Sequence, residues 1–288
     1  MTIDGILNSA RDGRLLSKQE AVALLNIQNS SKDFYHLISL ANELTRSEFN
    51  GKGFIFAQIG LNAEPCSVNC KFCSMGRDHY VMDSIWKKDI NSILSEAKNL
   101  IHSGIHDLFL MTTADYPVSD FMNVAKRVKE ILPDDIRLVA NIGDFDYATA
   151  LKLKEIGCTG AYHICRLREG IDTTAIPEKR IRTLDAITKA GLELYYCVEP
   201  IGPEHSYEEI ADEMLRARDY HVGVMAVMRR VPVKGTPLYE NGRISFVELS
   251  KIAAVARVVT RPHRAMNAHE PVQMSLICGV NQLYADFI

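Results

Sequence analysis

The chain lacks a second cysteine pair. Of its seven cysteines only Cys66, Cys70 and Cys73 are closely spaced, so the two-pair, four-ligand pattern usual for structural zinc has no place to form. It also lacks an excess of positive charge. With 33 Lys and Arg against 36 Asp and Glu, the net charge is −3, which gives no case for general nucleic-acid or anionic-membrane binding. A small or acyl-chain substrate fits that balance better. No stretch approaches the roughly 18 consecutive apolar residues of a membrane span, and Met-Thr-Ile-Asp-Gly at the start has no charged segment leading into an apolar core. The expectation is a soluble, cytoplasmic protein whose thiols serve as ligands rather than disulfides. No G-x-G-x-x-G turn follows the first strand-like run, which weakens a dinucleotide-binding reading. Linkers rich in Pro, Gly or Ser are absent too, and one folding domain is the simplest organisation.

What is present is an alternation. From residue 53 short apolar runs trade places with amphipathic stretches, the pattern of βαβ units around a parallel sheet. Strands are predicted at 53–59, 107–113, 136–142, 160–166, 192–199, 222–229, 263–268 and 282–287, and helices near 88–103, 118–132, 146–157, 178–190, 206–219, 246–259 and 270–279. Gly104, Gly157 and Gly191 stand where helices should end. Eight strands separated by helices suit an α/β fold of the closed (β/α)8 TIM type better than an open sheet. Residues 18–47 carry two further helical patterns, the first opening on a Ser17/Glu20 capping box. The predicted organisation is therefore a helical lead-in over 1–50 and a barrel over 51–288. The chain stops inside its last strand candidate, as a trimmed chain or one without a tail would.

The cysteines lie on the loop after the first strand, as Cys66-Ser-Val-Asn-Cys70-Lys-Phe72-Cys73. Gaps of three and two residues let three thiolates meet one iron–sulfur cube and leave its fourth corner without a protein ligand. In a barrel of this kind chemistry sits at the C-terminal strand ends. There the sequence places Thr112, Thr113 and Asp115; Asn141 and Asp144; His163, Cys165, Arg166, Arg168 and Glu169; Cys197 and Glu199; Arg229 and Arg230; and Arg264, Asn267 and His269. Of these, His163, Arg229, Arg264 and His269 are candidate substrate contacts, and each could equally be a satisfied structural group.

The triad resembles the signature of the radical S-adenosylmethionine (SAM) superfamily, and the rest of the chain looks like its biotin synthase branch. Val231-Pro-Val-Lys-Gly-Thr-Pro-Leu238, the Arg264-containing strand and Gln273 to Asn281 carry that second likeness, which spans about residues 50–288. The resemblance implies a 4Fe–4S cluster on Cys66, Cys70 and Cys73, with SAM at its open corner and Phe72 where relatives pack the adenine. It implies Arg180 for the SAM carboxylate and Arg168-Glu169 for its ammonium and ribose. Glu169 is favoured of that pair because an ammonium wants a carboxylate acceptor. Thr112 and Asn141 would make further SAM contacts. Biotin synthase also carries a second cluster on three cysteines and an arginine. Cys197 and Arg264 fall at matching places, but the second and third strands have no cysteine, so an auxiliary cluster would need a rearranged set of Cys165, Cys197 and Cys278. Buried packing is the alternative for these thiols, and the expectation for Cys158. The resemblance implies a radical SAM sulfurtransferase of the biotin or lipoyl synthase kind. It would need a reductant protein such as ferredoxin or flavodoxin, a small-molecule or carrier-bound acyl substrate and, in the split lipoyl case, a second radical SAM protein. Carbon-skeleton rearrangement or fragmentation, as in methylornithine synthase or an iron–iron hydrogenase maturase, is the rival reaction. A non-enzymatic iron–sulfur carrier is the rival outside catalysis.

Overall fold

The computed structural model describes residues 2–270 and 273–285. In chain order the elements are α1 (Ile3–Arg11), α2 (Lys18–Leu25), α3 (Lys32–Glu48), β1 (Phe54–Gly60), β2 (Asn62–Ala63), β3 (Trp86–Lys87), α4 (Ile90–His102), β4 (Asp107–Met111), α5 (Val118–Lys129), β5 (Arg137–Asn141), α6 (Tyr147–Glu155) and β6 (Gly160–Tyr162). They continue as α7 (Pro177–Ala190), β7 (Glu193–Ile201), α8 (Tyr207–Asp219), β8 (Val224–Arg229), α9 (Phe246–Thr260), β9 (Ala265–Ala268), α10 (Gln273–Ile277) and β10 (Gln282–Tyr284). Eight strands close a barrel in the order β1-β10-β9-β8-β7-β6-β5-β4, and β2 and β3 form a separate two-stranded antiparallel pair. The TIM-type expectation holds.

Local chemistry explains the element ends. Ser17 and Glu20 form the expected capping box, and Ser206 and Glu209 form a second at α8. Gly191 ends α7 at φ 71°, a left-handed value that a side chain would make costly. The fourth predicted strand is shorter than expected, since β6 stops at Tyr162 and leaves His163 to Glu169 in a loop. The last predicted strand runs to 287, of which 286 and 287 lie outside the described residues, as do 271 and 272 of the last predicted helix.

Contacts group the chain into two compact units. One comprises Met1–Phe54, Tyr196–Arg230 and Asn241–Tyr284; the other comprises Ile55–Tyr195, Val231–Glu240 and Ala285–Ile288. In the first, α9 is buried from Leu249 to Thr260 and packs on α2, α3, α8, α10, β8 and β9. Burial on every side explains why this helix is apolar nearly all round. In the second, which carries the cysteine loop, Phe109 stacks with Phe56 at 5.0 Å and Tyr195 at 5.2 Å. The Tyr195 hydroxyl donates to Asp107 at 2.8 Å and accepts from Arg137 Nε at 3.1 Å. These rings and their hydrogen-bonded ends fill the interior beside the first residues of β4 and β5.

Candidate active site

The cysteine loop is closed on itself by backbone bonds. Cys66 N–H donates to Met75 O at 2.8 Å, Arg77 N–H to Cys66 O at 3.1 Å, and Cys73 N–H to Cys70 O at 3.0 Å. Asn69 takes a left-handed φ of 51°, which asparagine tolerates better than most residues, and its side chain donates to the Asp78 carboxylate at 2.7 Å and accepts the Asp78 backbone N–H at 3.0 Å. That turn brings Cys70 round beside its partners. His79, which no sequence signal singled out, presents Nε2 3.0 Å from Cys70 O and 3.2 Å from Cys73 O. A methyl on Gly76 would overlap the His79 ring, so this glycine is required by close approach rather than by φ.

Two more segments pin the loop. Lys71 N–H donates to Asp172 O at 2.9 Å, and Thr174 holds Val68 O through its N–H and Ser67 O through its hydroxyl at 2.7 Å. Leu238 N–H donates to Lys71 O at 3.0 Å, which gives the Val231–Leu238 stretch a physical role as a strap. Asp115 receives the Ser67 N–H at 2.5 Å and the Ser67 hydroxyl. Cys70 is buried while Cys66 and Cys73 are half-buried. Burial pushes the Cys70 thiol up to about 12, the Arg166 guanidinium draws it back, and Cys73, Glu169 and Cys66 add to the rise. A bound metal must therefore displace a firmly held proton. Among the described residues no three His, Cys, Asp or Glu side chains are drawn around the position of a single metal ion. A cubane, with each of three irons taking one thiolate, asks for a wider spread.

Beside the loop lies a buried charge network. Arg180, near the start of α7, donates from Nη1 to Asp144 Oδ1 at 3.0 Å and has Nε 3.4 Å from Glu169 Oε2. Glu169 accepts from the Thr173 hydroxyl at 2.5 Å and the Arg166 N–H at 3.0 Å. Arg168 takes the left-handed turn, at φ 56°, that folds Glu169 back. His163 Nε2 sits 3.2 Å from Asp144 Oδ1, close but outside hydrogen-bond alignment. Burial alone would raise the Asp144 carboxyl, yet the His163 contact and the Arg180 charge hold it below its ordinary value. His163 is pushed down, chiefly by burial.

Several expected positions need correction. His163, 3% exposed, is built into this network rather than open to a substrate. Arg229 points away from the interior. Its Nε meets Glu270 at 2.5 Å, its Nη1 donates to Ile244 O at 2.9 Å and its guanidinium lies 3.6 Å from the Phe246 ring of α9. Alternation along β8 explains this, because Arg229 shares the helix-covered face with Met225 and Val227. Arg264 precedes β9 at its N-terminal end, over the Phe54 ring at 5.4 Å, and not at the mouth. Cys278 follows α10 and precedes β10 at its N-terminal end, where Gly279 O accepts from Thr45 of α3 at 2.8 Å. Cys165 instead follows the C-terminal end of β6, so in a parallel barrel Cys278 cannot complete a cluster with it. Cys165 and Cys197 are both buried, and so is Cys158.

The remaining candidates stand at C-terminal strand ends. Asn141 closes β5, and its carbonyl accepts the Thr112 N–H at 3.0 Å. Phe72 is half-exposed between Cys70 and Cys73. His269 directly follows β9, with its ring 6.4 Å from that of Tyr284. Thr112 Oγ1 is among the buried polar atoms with no hydrogen-bond partner, and Arg180 Nε has only the ion-pair contact to Glu169 at 3.4 Å, so both can still serve a ligand's hydroxyls or carboxylate. The three thiols and these two atoms fit a cluster with SAM beside it.

No protein-family model matches the chain. It is 28% identical over 255 residues to the biotin synthase of Clostridioides difficile, covering 85% of this chain and 77% of that protein. It is 27% identical over 260 residues to the biotin synthase of Acetivibrio thermocellus, covering 88% and 80%. Among solved structures, methylornithine synthase (PylB) superposes with a TM-score of 0.83 at 19% identity, covering 97% of this chain and 85% of that one. The hydrogenase maturase HydG gives 0.82 at 17% identity, covering 98% and 67%; these two likenesses speak to the fold. Barrel and cysteine loop together define a radical SAM enzyme, which uses a 4Fe–4S cluster and SAM. The chain is similar to the biotin synthase-like branch of that superfamily. Among the described residues no helix is long and apolar enough to cross a membrane.

Proposed function

We propose that the chain is a sulfur-inserting radical SAM enzyme, acting at an unactivated C–H bond as biotin or lipoyl synthases do. The observation that carries this reading is the similarity to biotin synthases along more than four-fifths of the chain. When bound, the cluster supplies the electron that cleaves SAM to methionine and a 5′-deoxyadenosyl radical. Cys66, Cys70 and Cys73 would hold the cluster, one thiolate each. Arg180 receives the SAM carboxylate through its guanidinium fork. Glu169 fixes that fork and keeps lone pairs for the SAM ammonium, since a carboxylate can accept about four hydrogen bonds. Phe72 lies against the adenine, and Thr112, Asn141 and Arg168 serve the ribose and carboxylate. Residues 51–288 form the catalytic barrel behind the 1–50 lead-in, and ferredoxin or flavodoxin delivers the electron.

The sulfur would come from an auxiliary cluster on Cys165 and Cys197, now without Cys278. That loss, with no cysteine on β4 or β5, favours carbon-skeleton rearrangement or fragmentation as the second reading. Iron counted after anaerobic reconstitution separates the two. Clearly more than the roughly four Fe of one cubane, falling on Cys197→Ala, supports sulfur insertion. About four Fe, unchanged in that variant, refutes it.

A further inference from the structure

Between Glu169 and the first residue of α7 the chain makes one short excursion over residues 170–176. At its centre is Thr173, 5% exposed. The Thr173 hydroxyl accepts the Gly170 N–H at 3.1 Å and the Ala175 N–H at 3.2 Å, and it donates to Glu169 Oε1 at 2.5 Å. A hydroxyl has two lone pairs and one proton. With both lone pairs taken by backbone donors, the proton is left pointing at the carboxylate.

Both neighbours of Thr173 are tied to the cysteine loop. Asp172 O accepts the Lys71 N–H at 2.9 Å, and the Asp172 carboxylate lies 3.3 Å from Lys71 Nζ. Thr174 donates its N–H to Val68 O at 2.8 Å and its hydroxyl to Ser67 O at 2.7 Å. Thr173 therefore stands between two anchors on the segment that carries Cys66, Cys70 and Cys73. On its other side Ala175 leads through Pro177 into α7, whose Arg180 brings Nε to 3.4 Å from Glu169 Oε2. One hydroxyl thus links the cysteine loop, the Glu169 carboxylate and the entry to the helix bearing Arg180. Loop closure alone accounts for its two bonds to backbone N–H groups. It does not account for the proton given to a buried carboxylate beside the groups assigned to SAM.

We infer that Thr173 is a positioning residue for SAM binding: its hydroxyl holds Glu169 Oε1 so that the carboxylate meets the SAM ammonium at a place set by the cysteine loop. Contact groups are held to a productive geometry by such supporting hydrogen bonds. The inference rests on the reading of Glu169 as the ammonium acceptor and extends it to a residue that acts through that carboxylate.

The test uses the anaerobically reconstituted full chain, with Thr173→Val and Thr173→Ser as variants and SAM and 5′-methylthioadenosine as probes. The second probe keeps the adenosine and lacks the ammonium and carboxylate. Iron content and Tm are measured for each protein, and affinities are read by anaerobic equilibrium dialysis. Thr173→Val should bind SAM about tenfold more weakly than wild type while its affinity for 5′-methylthioadenosine stays within about twofold. Thr173→Ser keeps the hydroxyl and should hold SAM within about twofold of wild type. A purely structural role would lower Tm and leave SAM affinity where it is. Thr173→Val binding SAM like wild type, or losing both probes equally, overturns the inference, as does Thr173→Ser losing as much as the valine variant. If the valine variant does not fold, Thr173→Ala is judged by the same two affinities. SAM cleavage by the wild type is assayed in parallel. Its absence alongside the expected affinities would remove the radical SAM reading and leave the role of Thr173 in SAM binding standing, whereas cleavage with unmoved affinities would remove the inference alone.

Discussion

Asp144→Asn separates the fold of the site from its function. The carboxylate holds Arg180 at 3.0 Å, with a second contact to His163 at 3.2 Å. Arg180 is 5% exposed and Asp144 30% at the side chain, so the pair is partly desolvated. A hydrogen bond between charged groups contributes about 1.5–3 kcal/mol. Asparagine keeps an acceptor in place, and solvent screens part of the charge, so the expected loss is about 1–2 kcal/mol. For a chain of this size each kcal/mol moves Tm by about 2–4 °C, which predicts a fall of about 2–8 °C. Glu169 still flanks Arg180 at 3.4 Å, so the guanidinium should remain buried but swing. SAM affinity, measured by anaerobic equilibrium dialysis of the reconstituted protein, should weaken about tenfold, corresponding to about 1.4 kcal/mol. Arg180→Lys, which keeps the charge and loses the fork, should bind SAM still more weakly. If Tm falls in Asp144→Asn while both variants bind SAM like the wild type, Arg180 is a structural cation and its assigned role is wrong.

Gly76→Ala should displace His79 from the carbonyls of Cys70 and Cys73 and lower iron incorporation well below wild type, with far-UV circular dichroism unchanged; full iron content would show that the clamp is dispensable. Asn69→Ala, forcing a Cβ-branched-free but ordinary residue to φ 51° and breaking the Asp78 exchange, should cost about 1–2 kcal/mol, read as a lower denaturation midpoint. His269 has a folded-state value below 6.5, so the unfolded chain binds the extra proton first as pH drops. Its contribution is intact above pH 6.5 and is lost as pH falls from there toward the folded value. The slope of stability between pH 6.5 and 5 should therefore be shallower in His269→Gln, and an unchanged slope would contradict its burial.

Much of this was legible because the barrel repeats a local signal. The apolar runs at 107–113, 136–142 and 222–229 each hold the core of an observed strand, and the Ser17 and Gly191 signals end helices where expected. Helix α1 was not anticipated, although Thr2 caps it and Ile6, Leu7 and Ala10 bury against the protein; Gly5 and a length of nine residues blur its period. The two-residue strands β2 and β3 are too short to leave a pattern. At the site, thiol spacing was readable because it lies within one loop. The Asp144, His163, Glu169 and Arg180 network was not, because it joins residues from two loops and a helix that only folding brings together. Arg229 was misjudged for a readable reason: parity with Met225 and Val227 already puts it on the helix-covered face. Cys278 was misjudged because a cysteine after a helix was not traced to the N-terminal end of the strand that follows.

The central claim is that the loop carrying Cys66, Cys70 and Cys73 makes this chain a SAM-cleaving enzyme. Reconstituted protein, SAM and dithionite incubated without oxygen should yield 5′-deoxyadenosine and methionine in equal amounts, and Cys70→Ala should yield neither above background. Wild-type protein with its iron in place, SAM bound and no 5′-deoxyadenosine beyond that of the variant would contradict it.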